Sequence, residues 1–235
     1  MTWSILVRDQ ETGALGAAIA SRFFATGAIC VHVEGRVGAL STQALVNPMY
    51  AVHAMPPLRA REDPASIIGA LTAADAGADQ RQLHIIDASG RIAQHTGADC
   101  VAWAGHLRGQ DISLAGNMLA GEAVLRHTME AYLTATGPVA ERLLTAMQAG
   151  EAAGGDKRGK QSAALKICSA DPFPDLDIRA DDHPDPLAEL WRLYRVSRER
   201  FAVFRRFLPG TDSPCGVFDR TVINDALARE GRAPG

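Results

Sequence analysis

The sequence predicts an α+β protein built as a four-layer αββα sandwich, two antiparallel sheets packed face to face with helices outside, followed by a C-terminal helical extension. Three observations carry this. Strand-forming and helix-forming segments come in the order strands, two helices, strands, two helices, strand, which the layer rule satisfies with two stacked sheets under helical covers. The segment 27–33 is apolar on both alternating faces, as a strand buried in a sandwich must be. The chain has 235 residues, 47% of them apolar and 22% charged, enough for a full hydrophobic core in one soluble domain.

Residues 2–8 are rich in strand formers, Asp9–Gly13 supplies turn chemistry, and 14–20 returns as an apolar run of small residues, so the chain opens with a hairpin. Segments 27–33 and 35–40 read as two further strands. From Asn47-Pro48 the pattern becomes helical, and Asp63-Pro64 is a start signal, an N-cap acid before a proline in the first turn; two helices are expected between 48 and 76. Residues 82–87, a Ser89-Gly90 turn and 91–96 read as a second hairpin, with 100–103 a possible pairing partner. Apolar stripes place a helix over 119–132 and a shorter one after Gly137-Pro138. A glycine-rich loop spans 150–159, a last central strand 162–168 and an edge strand 176–179. Beyond residue 180 the composition shifts from acidic to basic, and 186–208 reads as one long amphipathic helix before a short terminal helix over 219–229. The expected division is therefore a sandwich over 1–180 and a helical extension over 181–235, packed on the sandwich or on a partner subunit.

Charge and cysteine usage exclude several classes. Twenty-four basic against 27 acidic residues give a formal charge of −3, without the positive field of a nucleic-acid binder. No stretch approaches the roughly 20 apolar residues that span a bilayer, and the start lacks a basic and then apolar leader, so neither nucleic acid nor membrane is an expected partner and the cytoplasm is the expected compartment. The four cysteines, at 30, 100, 168 and 215, show no C-x-x-C spacing and read as small buried residues. Gly154 to Lys160 nearly spells a phosphate-binding loop, but Gln161 replaces the Ser/Thr that would hold magnesium and a strand follows instead of a helix. His183 among Asp181, Asp182 and Asp185 reads as a helix-capping surface run in preference to a cation site. No cofactor and no metal are expected. The arginine run from 192 to 206 is matched to the acidic stretch before it, within the chain or across a homo-oligomer.

Chemistry concentrates at the N-terminus. Thr2 is small enough for the initiator methionine to be removable, which leaves an α-amine and a β-hydroxyl on one residue. With a reference pKa of about 7.7–8.0, such an amine is partly unprotonated near neutrality and can take the hydroxyl proton. The alternative is that Thr2 simply begins a strand.

The strand, turn and Gly16–Arg22 pattern resembles the opening hairpin of the N-terminal-nucleophile hydrolases, the superfamily that includes proteasome β subunits. More specifically, Thr2-Trp-Ser-Ile, Ala20-Ser-Arg-Phe-Phe24, Val37–Ala44 with Asn47-Pro48, His95-Thr-Gly97, Gly116-Asn117 with Leu119-Ala-Gly121, Ala153–Gly159 with Gln161–Ala163, and Asp181–Pro186 together resemble domain-of-unknown-function family 1028 from residue 2 to about 193. The resemblance implies that Thr2 stands where the superfamily keeps its nucleophile. It also implies that Gly38 and Ala39 are backbone oxyanion donors and that Asp156 is an acid near the nucleophile. Asn117 could donate a side-chain N–H to the same oxyanion; its alternative is the N-cap of the following helix. The pattern departs from proteasome subunits in lysine usage, since the first lysine is Lys157. Arg22 is the replacement, able to favour a neutral amine and to orient a substrate carboxylate. Its alternative is a surface charge at the hairpin end, as a solvated loop charge is for Asp156.

The reading that results is a hydrolase of C–N bonds, cleaving an amide of a small anionic metabolite through a threonyl acyl-enzyme. A non-catalytic ligand-binding module on the same fold and a proteasome-like peptidase are the alternatives.

Overall fold

In a computed structural model that describes residues 2–231, the chain divides into two compact units between Leu190 and Trp191. The first unit is the expected αββα sandwich. Its six-stranded sheet comprises β1 (Thr2–Arg8), β2 (Leu15–Ser21), β7 (Gly105–Gly109), β8 (Ile112–Asn117), β9 (Ser162–Cys168) and β10 (Leu176–Ala180) in the order β10-β9-β2-β1-β8-β7. The four-stranded sheet holds β3 (Val31–Glu34), β4 (Gly38–Ala44), β5 (Arg81–Asp87) and β6 (Ile92–Thr96) in chain order. Every pairing is antiparallel.

Between the sheets Leu6, Leu15, Ala17 and Ile19 meet Val31, Val33, Ala39 and Ile86. Outside the smaller sheet, α2 (Met49–Arg59) and α3 (Pro64–Ala73) bury Tyr50, Ala54, Leu58 and Ile67 against Leu40, Leu83 and Ile85. Asp63 caps α3 as its sequence predicts, its carboxylate accepting from the N–H groups of Ala65 and Ser66. The larger sheet is covered by α4 (Ala123–Thr134) and α5 (Val139–Ala152), which bury Val124, Leu125, Leu143, Leu144 and Met147.

Four local expectations are corrected. The apolar run at 27 opens as a helical turn, α1 (Thr26–Ile29), and becomes strand only at Val31. Periodicity cannot separate strand from a buried helical turn here; what decides is close packing, for a side chain at Gly27 would overlap Ala164, and Ser162 Oγ accepts from Thr26 N at 3.1 Å. Residues 35–37, read as strand, form the turn into β4, with Arg36 at φ +62°. Residues 100–103 add no strand; instead β7 and β8 form a hairpin that the composition hid, with Asp111 left-handed at φ +57° in its tight turn. The long late helix is interrupted: α6 (Pro186–Ser197) ends where Ser197 Oγ donates to Tyr194 O at 2.7 Å, and the chain restarts as α7 (Phe201–Phe204).

The second unit begins within α6. It contains α7 and α8 (Arg220–Arg229), joined through Val203, Ile223 and Leu227. Asp219 caps α8, accepting from Thr221 N at 2.8 Å.

Candidate active site at the N-terminal end of the sandwich

β1 lies between β2 and β8, so its first residue is flanked on both sides. The register places Thr2 opposite Ser21 on one side and opposite Asn117 on the other, and Ser21 in turn opposite Ser162. Directly opposed residues share a face of the sheet, so Ser162, Ser21, Thr2 and Asn117 form one polar row across four strands. Which face this is follows from period-2 alternation. Ser4 reaches across to Gln43 and His84 of the other sheet, so Thr2, two residues earlier, also faces the space between the sheets. Thr2 Oγ1 lies 2.9 Å from Ser21 Oγ.

Trp3 points the other way, beneath α5. A side chain at Gly150 would fall 2.2 Å from Thr128 Oγ1 and 3.0 Å from Trp3 Nε1, so the helix approaches the indole only because residue 150 has no Cβ.

Asp156 ties this end together. Its Oδ2 accepts from Arg22 N at 3.1 Å, just beyond Ser21, and residue 156 forms an isolated bridge with Leu119, just beyond Asn117. Its Oδ1 accepts from Arg158 N at 2.7 Å. Residue 156 thus joins the ends of the two strands that flank β1, through its carboxylate on the β2 side and its backbone on the β8 side. Beside it a cleft of about 350 Å³ is lined by Trp3, Arg22, Gly154, Gly155, Gly159 and Lys160. Lys160 is paired with Glu151 and with Asp185, whereas among the described residues the guanidinium of Arg22 has no ionic partner. Glu151 and Asp156 line the same cleft, and Arg22 is exposed there.

Behind the polar row runs a buried hydrogen-bonded chain. Gln94 Nε2 donates to the carbonyls of Leu107 (2.6 Å) and Leu114 (3.1 Å) and to Ser113 Oγ (3.0 Å). Ser113 Oγ is 2.8 Å from His84 Nδ1, and His84 Nε2 is 2.8 Å from Ser4 Oγ. Ser4 donates to Gln43 Oε1 at 2.8 Å, and Gln43 Nε2 to Gln82 Oε1 at 2.7 Å. Gln82 Oε1 also accepts from Asn117 Nδ2 at 3.3 Å. Burial pushes the His84 imidazolium pKa down to about 3, so the ring is neutral.

A second cluster fixes the chain where β4 leaves the sheet at the same end. Asp75 accepts from Arg81 Nε (2.6 Å), Tyr50 Oη (2.8 Å) and Asn47 Nδ2 (3.0 Å), while Arg81 also donates to Leu45 O at 2.6 Å. The Arg81 bond above all holds the Asp75 carboxyl well below the usual range. Three left-handed non-glycine residues, Ala25, Ala44 and Met118, lie just past Ser21, at the end of β4 and just past Asn117.

The family of unknown function DUF1028 matches residues 2–190. The chain belongs to the DUF1028 family. The crystal structure of SPO2555 from Silicibacter pomeroyi, itself described as a DUF1028 protein, is similar at 29% identity and a TM-score of 0.86, over 93% of this chain and 99% of that one. Anbu, the ancestral β-subunit from Yersinia bercovieri, shows 13% identity over 88% of this chain and 98% of that one, at a TM-score of 0.36. Eukaryotic HslV from Trypanosoma brucei shows 11% identity over 70% of this chain and 98% of that one, at 0.38. No curated protein matches the chain.

Of the residues singled out in this DUF1028 sequence, the structure brings Thr2, Arg22, Asn117 and Asp156 to one end of the sandwich and leaves Gly38 and Ala39 elsewhere. Gly38 pairs with Glu34 and Asp87, and Ala39 packs in the core with Leu6 and Ile86, at the end of β4 remote from Gln43. Because β4 is paired on both sides, the N–H groups of these two residues belong to the sheet ladders. Asn117 is no N-cap, since α4 starts at Ala123 after Glu122. Asp156 bonds to the backbone N–H groups of Arg22 and Arg158 and, at 3.5 Å, to the Arg158 guanidinium, with no bond to Thr2. The glycine-rich loop leads into β9 with no helix, and Asp185 accepts from Ala188 N at 3.1 Å in the first turn of α6. No group of three potential metal ligands, and no helix long and apolar enough to cross a membrane, occurs among the described residues.

Sequence reading missed Ser21, Gln43, Gln82 and His84. The available signal was polar residues recurring at every second position of otherwise apolar strands, as in Ser41/Gln43 and Gln82/His84. A larger hollow of about 680 Å³ opens at the far end of the six-stranded sheet. Its two guanidiniums are paired, Arg142 with Asp9 at 3.0 Å and Arg8 with Asp111 at 3.4 Å.

Proposed function

We propose that this DUF1028 protein is an amide hydrolase of the N-terminal-nucleophile type, acting on a small carboxylate-bearing substrate through Thr2. The observation that supports it most is the row Ser21–Thr2–Asn117: a threonine hydroxyl held 2.9 Å from a serine hydroxyl, opposite an amide side chain, at the end of the sheet where Arg22 follows Ser21.

Removal of Met1 gives Thr2 a free α-amine. That amine takes the Oγ1 proton as the oxygen attacks the substrate carbonyl, and negative charge develops on the carbonyl oxygen. The Asn117 Nδ2–H is the donor for that oxyanion. The protonated amine then passes its proton to the departing nitrogen, the C–N bond breaks and a threonyl ester remains. Water, deprotonated by the same amine, hydrolyses the ester. Arg22 binds the substrate carboxylate from the cleft, and Asp156 is a positioning residue, holding the backbone of Arg22.

The test uses an aliphatic β-lactone bearing a carboxylate, whose strained ester acylates a threonine hydroxyl and gains its mass. A single adduct located on Thr2, absent in Thr2→Ala and absent when Met1 is kept in place, supports the proposal. Labelling that persists in Thr2→Ala overturns it.

A further inference from the structure

The buried chain between the sheets has a direction that follows from chemistry alone. Gly105 O and Gly116 O can only accept, and both lie 2.9 Å from the Gln82 amide, so its nitrogen faces them and its Oε1 faces the other way. The Gln43 atom next to Gln82 Oε1 is therefore Nε2, and the Asn117 atom next to it is Nδ2. Gln43 Oε1 can only accept, so the Ser4 proton goes to it, and Ser4 Oγ accepts from His84 Nε2–H. With the hydrogen of the neutral ring on Nε2, His84 Nδ1 is bare and accepts from Ser113 Oγ–H. The chain is thus oriented from Gln82 outward, anchored at the carbonyls of Gly105 and Gly116.

We infer that Gln82 is a positioning residue for the reaction at Thr2: it fixes which side of the Asn117 amide is nitrogen and keeps one N–H aligned for the oxyanion. The inference rests on the proposed reaction. With Gln82 Oε1 accepting one hydrogen of Nδ2, the second hydrogen has no acceptor among the described residues and is held without rotational freedom. Without Gln82, the amide is free to turn its oxygen toward the developing negative charge, which repels it. A residue that merely filled space would not select between these two orientations.

The experiment follows acylation of methionine-processed protein by the carboxylate-bearing β-lactone, separating the acylation rate constant from lactone binding. Asn117→Ala is expected to lower the rate constant about 100-fold, the scale for loss of one oxyanion donor. Gln82→Met is expected to lower it about tenfold with binding unchanged, and the double variant to be no slower than Asn117→Ala alone, because Gln82 acts only through Asn117. A Gln82→Met protein as fast as the wild type, or single effects that multiply in the double variant, overturns the inference while Thr2 remains the nucleophile. A wild-type protein that is not labelled at Thr2 removes the reaction and the inference together. Should Gln82→Met fail to fold, the unaltered protein decides: the side-chain 15N order parameter of Asn117 is expected to approach that of rigid backbone amides, about 0.85, and a value below about 0.6 contradicts the inference.

Discussion

The hydroxyl oxygens of Thr2 and Ser21 lie 2.9 Å apart, at directly opposed positions of the first hairpin and 7% and 0% exposed. Geometry of this kind favours one orientation of the Thr2 side chain, because turning Oγ1 away would give up its bond to Ser21 at a buried position. Ser21→Ala is expected to leave the fold intact and to slow β-lactone acylation about tenfold, one hydrogen bond of orientation being worth about 1.4 kcal/mol. Unchanged acylation in a folded Ser21→Ala protein would remove Ser21 from the account.

Arg22 makes a charge-specific prediction. As an exposed guanidinium without an ion pair among the described residues, it should matter for ligands with a carboxylate and be irrelevant to neutral ones. Arg22→Ala is expected to weaken binding of the carboxylate-bearing lactone about tenfold, allowing for solvent screening at an exposed site, and to leave an uncharged lactone of the same length unaffected. Equal losses for both probes would show that Arg22 acts by shape and not by charge.

Gly150 is a purely steric position. An added Cβ would meet Thr128 Oγ1 at 2.2 Å, and that hydroxyl is held by its 2.7 Å bond to Val124 O, so neither group gives way without cost. Gly150→Ala is expected to destabilise the protein by about 1–3 kcal/mol, read as a lowered urea midpoint. An unshifted midpoint would mean that α5 does not press on Trp3 as described.

His84 links the buried chain to pH. Its folded pKa, about 3, lies below the ordinary value of 6.5, so the unfolded chain binds the proton more readily. The contribution is therefore fully present above pH 6.5 and is lost as the pH falls from there through 3. Between pH 7 and pH 5 this one group should remove about 2 kcal/mol of unfolding free energy, and His84→Gln should flatten that part of the profile. Denaturant unfolding at both pH values checks it; identical slopes in wild type and variant would contradict a neutral buried ring.

The layers were legible because their signals are local and redundant. The opening hairpin shows a strand run, a turn and a second run, and Asp63-Pro64 marks the start of α3 within one residue. The β7–β8 hairpin was not legible, since its strands are short and glycine-bearing and its turn rests on Asp111 adopting positive φ. At the site, Thr2 could be named from its place after Met1, and Arg22, Asn117 and Asp156 from the resemblance to the N-terminal-nucleophile hydrolases. Gly38 and Ala39 were misplaced because sequence shows that a strand exists but not which of its ends faces the N-terminus. Register decides that, and it puts Gln43 rather than Gly38 within reach of Ser4. Gln82 and His84 were invisible for a related reason: their partners are on other strands, as much as 80 residues away.

Thr2 can act as its own base only as the first residue of the working protein. The intact mass of untagged protein, purified from its own cells, measures this directly. A chain lighter than the encoded sequence by one methionine, with threonine first and unblocked, is the predicted result. A chain that keeps Met1, or is acylated at its end, and still reacts with the β-lactone would contradict it.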